Sequence, residues 1–321
     1  MRCICFTITI FLLAALPAFA SDSLRLVTSL DPIEAAEYIE AFQKDTGINV
    51  QWIRLSAGEA LSRLKAEAEN PTQDVWFGAP SSELAAAAEA DLLERHSSGT
   101  TRNIPFGWRD PDGYWTGIYF GAIAFISGKG VKPPTSWQNL LTKPYKGEIA
   151  VSYPYTAGTG FTVLSGLIAI MGEEAAFRYC EKLDSSVRHY TNSGGAPIME
   201  VGLGEAGVGI AFDQDALRKG KARGLPVTIT YPSDGVPYEI GGVAIVKGGD
   251  RKLAARFVDW AASLAAQNLM HRWYRVPLAA GAEINPGSRR PETLPLAQMD
   301  FQDAGERREE LIRKWRERVG R

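Results

Sequence analysis

Cysteine is scarce in this chain: three occur among 321 residues. That excludes a disulfide framework and a four-cysteine zinc site. Histidine is as scarce, and His96, His189 and His271 each stand apart from any residue that could act as a nucleophile. Charge of one sign is also missing, since 35 Lys and Arg face 37 Asp and Glu for a net −2. A protein that embraces nucleic acid carries a large basic excess, so that class is set aside. The sequence holds no G-x-S-x-G, H-E-x-x-H, Walker A or EF-hand string. Neither a metal nor a cofactor is expected, and the nucleophile, base and orienting group of a hydrolase cannot be assembled. What is present is ordinary globular composition, 45% apolar and 22% charged.

The N-terminus reads as an export signal. Met1 and Arg2 precede an apolar run from Ile4 to Leu16, and Ala18 and Ala20 are the small residues that signal peptidase accommodates. The run is too short to span a bilayer of about 30 Å, so cleavage after Ala20 is expected rather than anchoring. Losing Arg2 with the leader takes the net charge from −2 to −3 and leaves Cys180 as the single thiol. In the segment Ala175-Ala176-Phe177-Arg178-Tyr179-Cys180 that thiol is expected to be a buried packing residue.

Beyond Ser21 strands and helices alternate. Leu24–Thr28, Asn49–Leu55 and Asp74–Phe77 read as strands separated by helices, an order that implies a parallel sheet. Asp31 is placed to cap the first helix, with Pro32 at its first position. Ligands bind beyond the carboxyl ends of such strands, here at Ser29, Ser56 and Gly78-Ala79. The aromatic, glycine-containing stretch Tyr114–Phe125 fits a strand passing from one lobe to another, and a second crossing is expected within Val227–Glu239. One contiguous α/β enzyme domain is the competing architecture. Near the end, Leu311, Ile312, Trp315 and Val319 form one stripe of an amphipathic helix that should dock on the body.

Gly202-Leu203-Gly204-Glu205-Ala206-Gly207 matches the dinucleotide string, but a helix precedes it and a strand follows. That order is reversed, so a helix C-cap is expected. The informative loops are Ser56-Ala57-Gly58-Glu59, Tyr155-Thr156-Ala157-Gly158-Thr159-Gly160 and Asn192-Ser193-Gly194-Gly195-Ala196-Pro197. Each stands at a helix start, where free N–H groups and a partial positive charge favour an anion, with ordinary helix capping the alternative. Asp213 reads as an N-cap of the segment Ala216-Leu217-Arg218. Gln214, Asp215 and Glu239 can accept hydrogen bonds from ligand hydroxyls or an amine, with structural pairing an equal alternative.

With these residues the chain resembles the solute-binding proteins of bacterial ABC transporters, in the iron(III)-, thiamine- or phosphonate-binding branch. The resemblance spans the mature chain through Asp74-Val75-Trp76-Phe77, Thr156–Phe161, Ser193-Gly194-Gly195 and Tyr238-Glu239-Ile240-Gly241-Gly242. It implies an α/β, two-lobed type II periplasmic binding protein fold. Each lobe would be a mixed sheet flanked by helices, joined by two crossing hinge strands. Ferric-ion binders of the branch carry two adjacent tyrosines where Phe212-Asp213-Gln214-Asp215 stands here, and an acidic ligand where Gly78-Ala79-Pro80 stands. Its sugar-phosphate binders carry a polar-acidic pair and a glutamate, positions matched by Gln214-Asp215 and Glu239, with Gln214 where histidine is usual.

The expected organisation is a leader over 1–20, a first lobe over 21–118, a second lobe with the first crossing over 119–230, and a return over 231–321. The expected function is capture of a small phosphorylated or phosphonate-bearing anion and its delivery to an inner-membrane permease with its ATPase, by a periplasmic monomer. Ser29, Ser56, Thr156, Gly158, Thr159, Ser193 and Gly194 would hold the anionic group, with Ala57, Gly78, Ala79, Gly160 and Gly195 beside them. Gln214, Asp215 and Glu239 would read the remainder. The alternatives are a ferric-iron or thiamine-type solute, or a secreted α/β hydrolase or phosphatase.

Overall fold

A computed structural model describes residues 23–321; the expected leader lies outside the described residues. In chain order the first elements are β1 (Leu24–Thr28), α1 (Pro32–Thr46), β2 (Val50–Arg54), α2 (Ala57–Ala66), β3 (Val75–Pro80), α3 (Ser81–Glu89), β4 (Leu93–Glu94) and α4 (Gly99–Arg102). The long strand β5 (Thr116–Ser127) follows, then β6 (Ile149–Ser152), α5 (Gly158–Met171), α6 (Glu173–Asp184), β7 (Val187–Thr191) and α7 (Ala196–Leu203). Next come β8 (Val208–Phe212), the single turn α8 (Asp213–Asp215) and β9 (Thr228–Thr230). The chain ends with β10 (Tyr238–Val246), α9 (Arg251–Ala261), α10 (Leu264–Asn268), β11 (Val276–Pro277), α11 (Phe301–Glu306) and α12 (Arg308–Val319).

The strands run in the order β2-β1-β3-β10-β5-β8-β6-β7. In the first half β1 pairs in parallel with β2 and β3, while β10 runs antiparallel to β3 and β5. In the second half β6 pairs in parallel with β7 and β8, and β8 runs antiparallel to β5. Strand β5 belongs to both sheets: Thr116–Ala122 pairs with β10, and Ile123–Ser127 pairs with β8 and β9. The aromatic stretch read as a crossing is therefore one continuous strand shared by two sheets.

Alternation along the strands supplies the cores. In β3, Val75 and Phe77 enter a cluster under α1 and α9, whereas Trp76 enters the cluster under α2 and α3. The second sheet is covered on one face by α5 and α6 through Phe161, Leu164, Phe177 and Cys180. Cys180 is thus the packing residue the sequence implies, and burial pushes its thiol up to about 12. On the other face Ile198 and Val201 of α7 pack against Ala150 and Ala211. Helix α7 closes at Gly204, which takes φ 79°, so the dinucleotide-like string is a C-cap.

One local reading changes. Asp213 does not act as a simple helix cap: one carboxylate oxygen accepts the Ala122 and Gln214 N–H groups at 3.2 and 2.8 Å. The other accepts the Tyr231 hydroxyl at 2.9 Å. It thereby ties β5 to the segment that leads from β9 to β10. At the C-terminus the amphipathic stripe docks on the body as expected, with Val319 packed beside it. Leu311, Ile312 and Trp315 of α12 bury against the second sheet's helices, while α11 lies on α3 beside the first sheet.

Candidate functional site

A cleft of about 290 Å³ opens between the two sheets, beyond the carboxyl ends of β1, β2, β3 and β8. The first lobe contributes Ser29, Asp31, Arg54, Ser56, Ala57, Gly78, Tyr119, Glu239 and Arg275; the second contributes Gly158, Thr159, Ser193, Gly194, Gly195, Gln214, Asp215 and Lys219. Residues at the starts of α1, α2, α5 and α7 face it together. Their first N–H groups lack intrahelical acceptors and carry partial positive charge.

Most of the residues expected from sequence meet in this cleft. Three do not line it. Ala79 is fully buried, because alternation along β3 turns it inward between Gly78 and Pro80. The Thr156 hydroxyl is buried without a hydrogen-bond partner, and its carbonyl lies against Gly58 of α2. Gly160 packs on the Ser152 and Tyr153 carbonyls, on the inner side of α5. Ser56 does line the cleft, yet its hydroxyl donates to Glu59 Oε2 at 2.6 Å, as does its N–H at 2.9 Å. The donors left at that helix start are backbone amides.

Ser29 holds its place through an N–H bond to the Phe77 carbonyl at 3.1 Å and accepts the Trp76 indole N–H at 3.2 Å. Its own hydroxyl proton takes no part in either bond. Thr159 sits so close to the start of α7 that any Cβ on Gly194 would fall 1.9 Å from Thr159 Oγ1. Glycine is obligatory there for the two helix starts to converge.

The opposite wall is acidic and partly neutralised. Glu239 is buried; the Tyr119 hydroxyl stands 3.5 Å from Oε1, and Oε2 has no partner. Burial pushes this carboxyl up to about 8, so at neutral pH it is largely protonated and able to donate. With its amide assigned so that nitrogen meets an acceptor and oxygen a donor, Gln214 donates to Asp213 Oδ1 at 2.7 Å and accepts from Arg275 Nη1 at 3.3 Å. Arg275 is itself buried, clamped by Glu34 at 2.5 and 3.0 Å and lying 4.0 Å over the Tyr119 ring. Asp215 keeps Arg218 Nη2 at 3.5 Å from Oδ1.

Asp31, Arg54, Tyr119, Lys219 and Arg275 were not legible as site residues. Asp31 does cap α1, accepting the Ile33 N–H at 3.2 Å, which hides its second partnership with Arg218 and Lys219. Arg275 reaches the cleft from a segment far along the chain, and no local motif marks it.

A sequence model described as bacterial extracellular solute-binding protein matches residues 31–274. A putative 2-aminoethylphosphonate-binding periplasmic protein of Salmonella typhimurium is 31% identical over 188 residues, 56% of this chain and 54% of that one. The chain thus spans about half of that relative. Iron uptake protein A1 of Synechocystis is 27% identical, covering 78% of this chain and 74% of its own. The periplasmic binding protein AfuA of Actinobacillus pleuropneumoniae, solved with fructose-6-phosphate bound, superposes with TM-score 0.89 at 28% identity, over 93% of this chain and 98% of its own. The architecture is the type II periplasmic binding protein fold. The chain belongs to the bacterial extracellular solute-binding protein family and is the solute-binding component of an ABC importer.

Proposed function

We propose that the protein carries a small phosphorylated or phosphonate-bearing organic anion through the periplasm to its permease. The observation that carries this reading is the meeting of α2, α5 and α7 starts with the hydroxyls of Thr159 and Ser193 at one end of the cleft. Backbone N–H groups at helix starts bind phosphate oxygens without a full counter-charge. The carboxyl and amide groups of Asp215, Glu239 and Gln214 suit hydroxyl or amino groups on the rest of the solute. Structures of a relative with a bound hexose phosphate and a relative named for an aminophosphonate support the same class.

The ferric reading finds less support in the donors. Fe(III) favours hard anionic ligands, and the tyrosine lining the cleft is Tyr119, whose burial holds its hydroxyl well above its ordinary value. Asp31, a carboxylate lining the cleft, is engaged by Arg218 and Lys219. Nothing in the cleft pairs a nucleophile with a base, so we read the protein as a carrier without turnover.

Thermal-shift screening of ligand-stripped protein tests this with fructose 6-phosphate, 2-aminoethylphosphonate, thiamine and ferric citrate. Stabilisation by a phosphate- or phosphonate-bearing compound is expected. A shift with ferric citrate alone would sink the proposal.

A further inference from the structure

The C-terminal pair of helices crosses from one lobe to the other. Helix α11 lies on α3 so closely that a Cβ on Gly305 would be 2.7 Å from the Ser82 carbonyl and from Ala85. Helix α12 is fixed to the second lobe by its apolar stripe and by ion pairs. Lys314 and Arg307 each reach Glu173 at 2.6 Å, Arg318 reaches Glu181 at 2.6 Å, and Arg321 reaches Asp184 at 3.0 Å. The change of lobe occurs at Arg307, a single residue between the two helices.

Arg308, the next residue, is 7% exposed and lies at the point where the lobes touch. Its Nη2 is 3.5 Å from Oε1 of Glu83 in α3, a fully buried carboxylate. Its guanidinium carbon sits 4.9 Å over the ring of Phe161 in the first turn of α5. The same Nη2 would be 3.3 Å from a Cβ on Gly58, in the first turn of α2. Glu83 Oε1 in turn would be 3.4 Å from a Cβ on Gly158, which lines the cleft. One buried cation therefore contacts the α2 start of one lobe and the α5 start of the other, and Glu83 offsets its charge.

We propose that Arg308 is a positioning residue: from a third interlobe connection it locks the starts of α2 and α5 together when the lobes meet. This rests on the proposed role of those helix starts in holding the solute. The physical reason is the cost of separation. Opening the lobes would separate Arg308 from Glu83, or from the Phe161 ring and the α5 start, and these contacts exist together only while the lobes meet. Contacts made in the closed state alone lower its free energy relative to the open one, which is what shifts a two-state equilibrium. An exposed pair at the same helix end, Lys65 with Glu309, joins the same two bodies.

The test is small-angle scattering of the ligand-free full-length protein, comparing wild type with Arg308→Met, Arg308→Lys and Lys65→Gln. The radius of gyration should rise in Arg308→Met, return partway in Arg308→Lys, and rise slightly in Lys65→Gln. Titration with fructose 6-phosphate should give about tenfold weaker affinity in Arg308→Met, with the saturated radius equal to wild type. A ligand-free radius in Arg308→Met equal to that of wild type would overturn the proposal. If that variant fails to fold, an unchanged radius in both Arg308→Lys and Lys65→Gln would overturn it as well. The ligand-free measurement needs no solute, so failure of the phosphate reading would be seen separately, as an absent response to fructose 6-phosphate.

Discussion

Asp31 Oδ2 and Arg218 Nη2 meet across the cleft at 3.0 Å, one on the first lobe and the other on the second. Lys219 stands 3.6 Å from the same oxygen, and the Arg218 guanidinium lies 5.5 Å over the Trp273 ring. These contacts bridge the two lobes, so an opening of the cleft would break them. Arg218→Gln should therefore weaken solute binding by roughly 5- to 20-fold through loss of closure, since half-buried interlobe pairs are worth about 1–2 kcal/mol. Calorimetric titration together with scattering checks this; unchanged affinity would mean the pair does not hold the lobes.

The same pair carries a pH dependence. Burial acts to raise the Asp31 carboxyl, but Arg218, Lys219 and the Ile33 N–H outweigh it and hold Asp31 below its ordinary value. A depressed carboxylate contributes above its unfolded value and is lost as pH falls through its folded one. Closure should persist at neutral pH and weaken below the usual aspartate range, and Arg218→Gln should flatten that acidic limb.

Glu239 has the opposite sign. Its carboxyl, pushed up to about 8 by burial, keeps a proton that the unfolded chain loses near its ordinary value of 4.5. Stability contributed by this group falls as pH rises from about 4.5 to about 8 and is then level. Glu239→Gln fixes the protonated shape. It should raise Tm at pH 8 by about 3 °C, a gain of roughly 1–2 kcal/mol, with little change at pH 5. Equal Tm differences at both pH values would show that Glu239 does not titrate there.

How much of this was written in the sequence depends on the range of the interaction. Strand β8 at Val208–Phe212, the cap at Asp31 and the αL end at Gly204 follow from local pattern, and the sequence reading reached them. So did the loops that carry Thr159, Ser193 and Gly194, because helix starts have local signatures. Arg275 and Arg218 were missed because their partners, Glu34 and Asp31, lie far away in the chain. Thr156 and Gly160 were misplaced for a finer reason. They share a loop with Gly158 and Thr159, and only the turn of α5 decides which residues face the cleft.

Gly194→Ala tests the convergence of the two helix starts. Its new methyl would collide with Thr159 Oγ1 and Cβ, so α5 and α7 must separate. Affinity should drop by at least about tenfold while Tm falls by only a few degrees, a cost of about 1–3 kcal/mol in a partly relaxable site. Near-wild-type titration curves would show that the two starts do not act on one group.

If the cleft holds its solute through a phosphate-type group, a sugar lacking that group should bind poorly. Isothermal titration of ligand-stripped protein with fructose 6-phosphate and with fructose isolates that group. Removing the phosphate should weaken binding by at least about 100-fold, on the order of 3 kcal/mol. Equal affinity for the two sugars would contradict the phosphate reading, as would binding of ferric citrate with no response to any phosphate- or phosphonate-bearing compound.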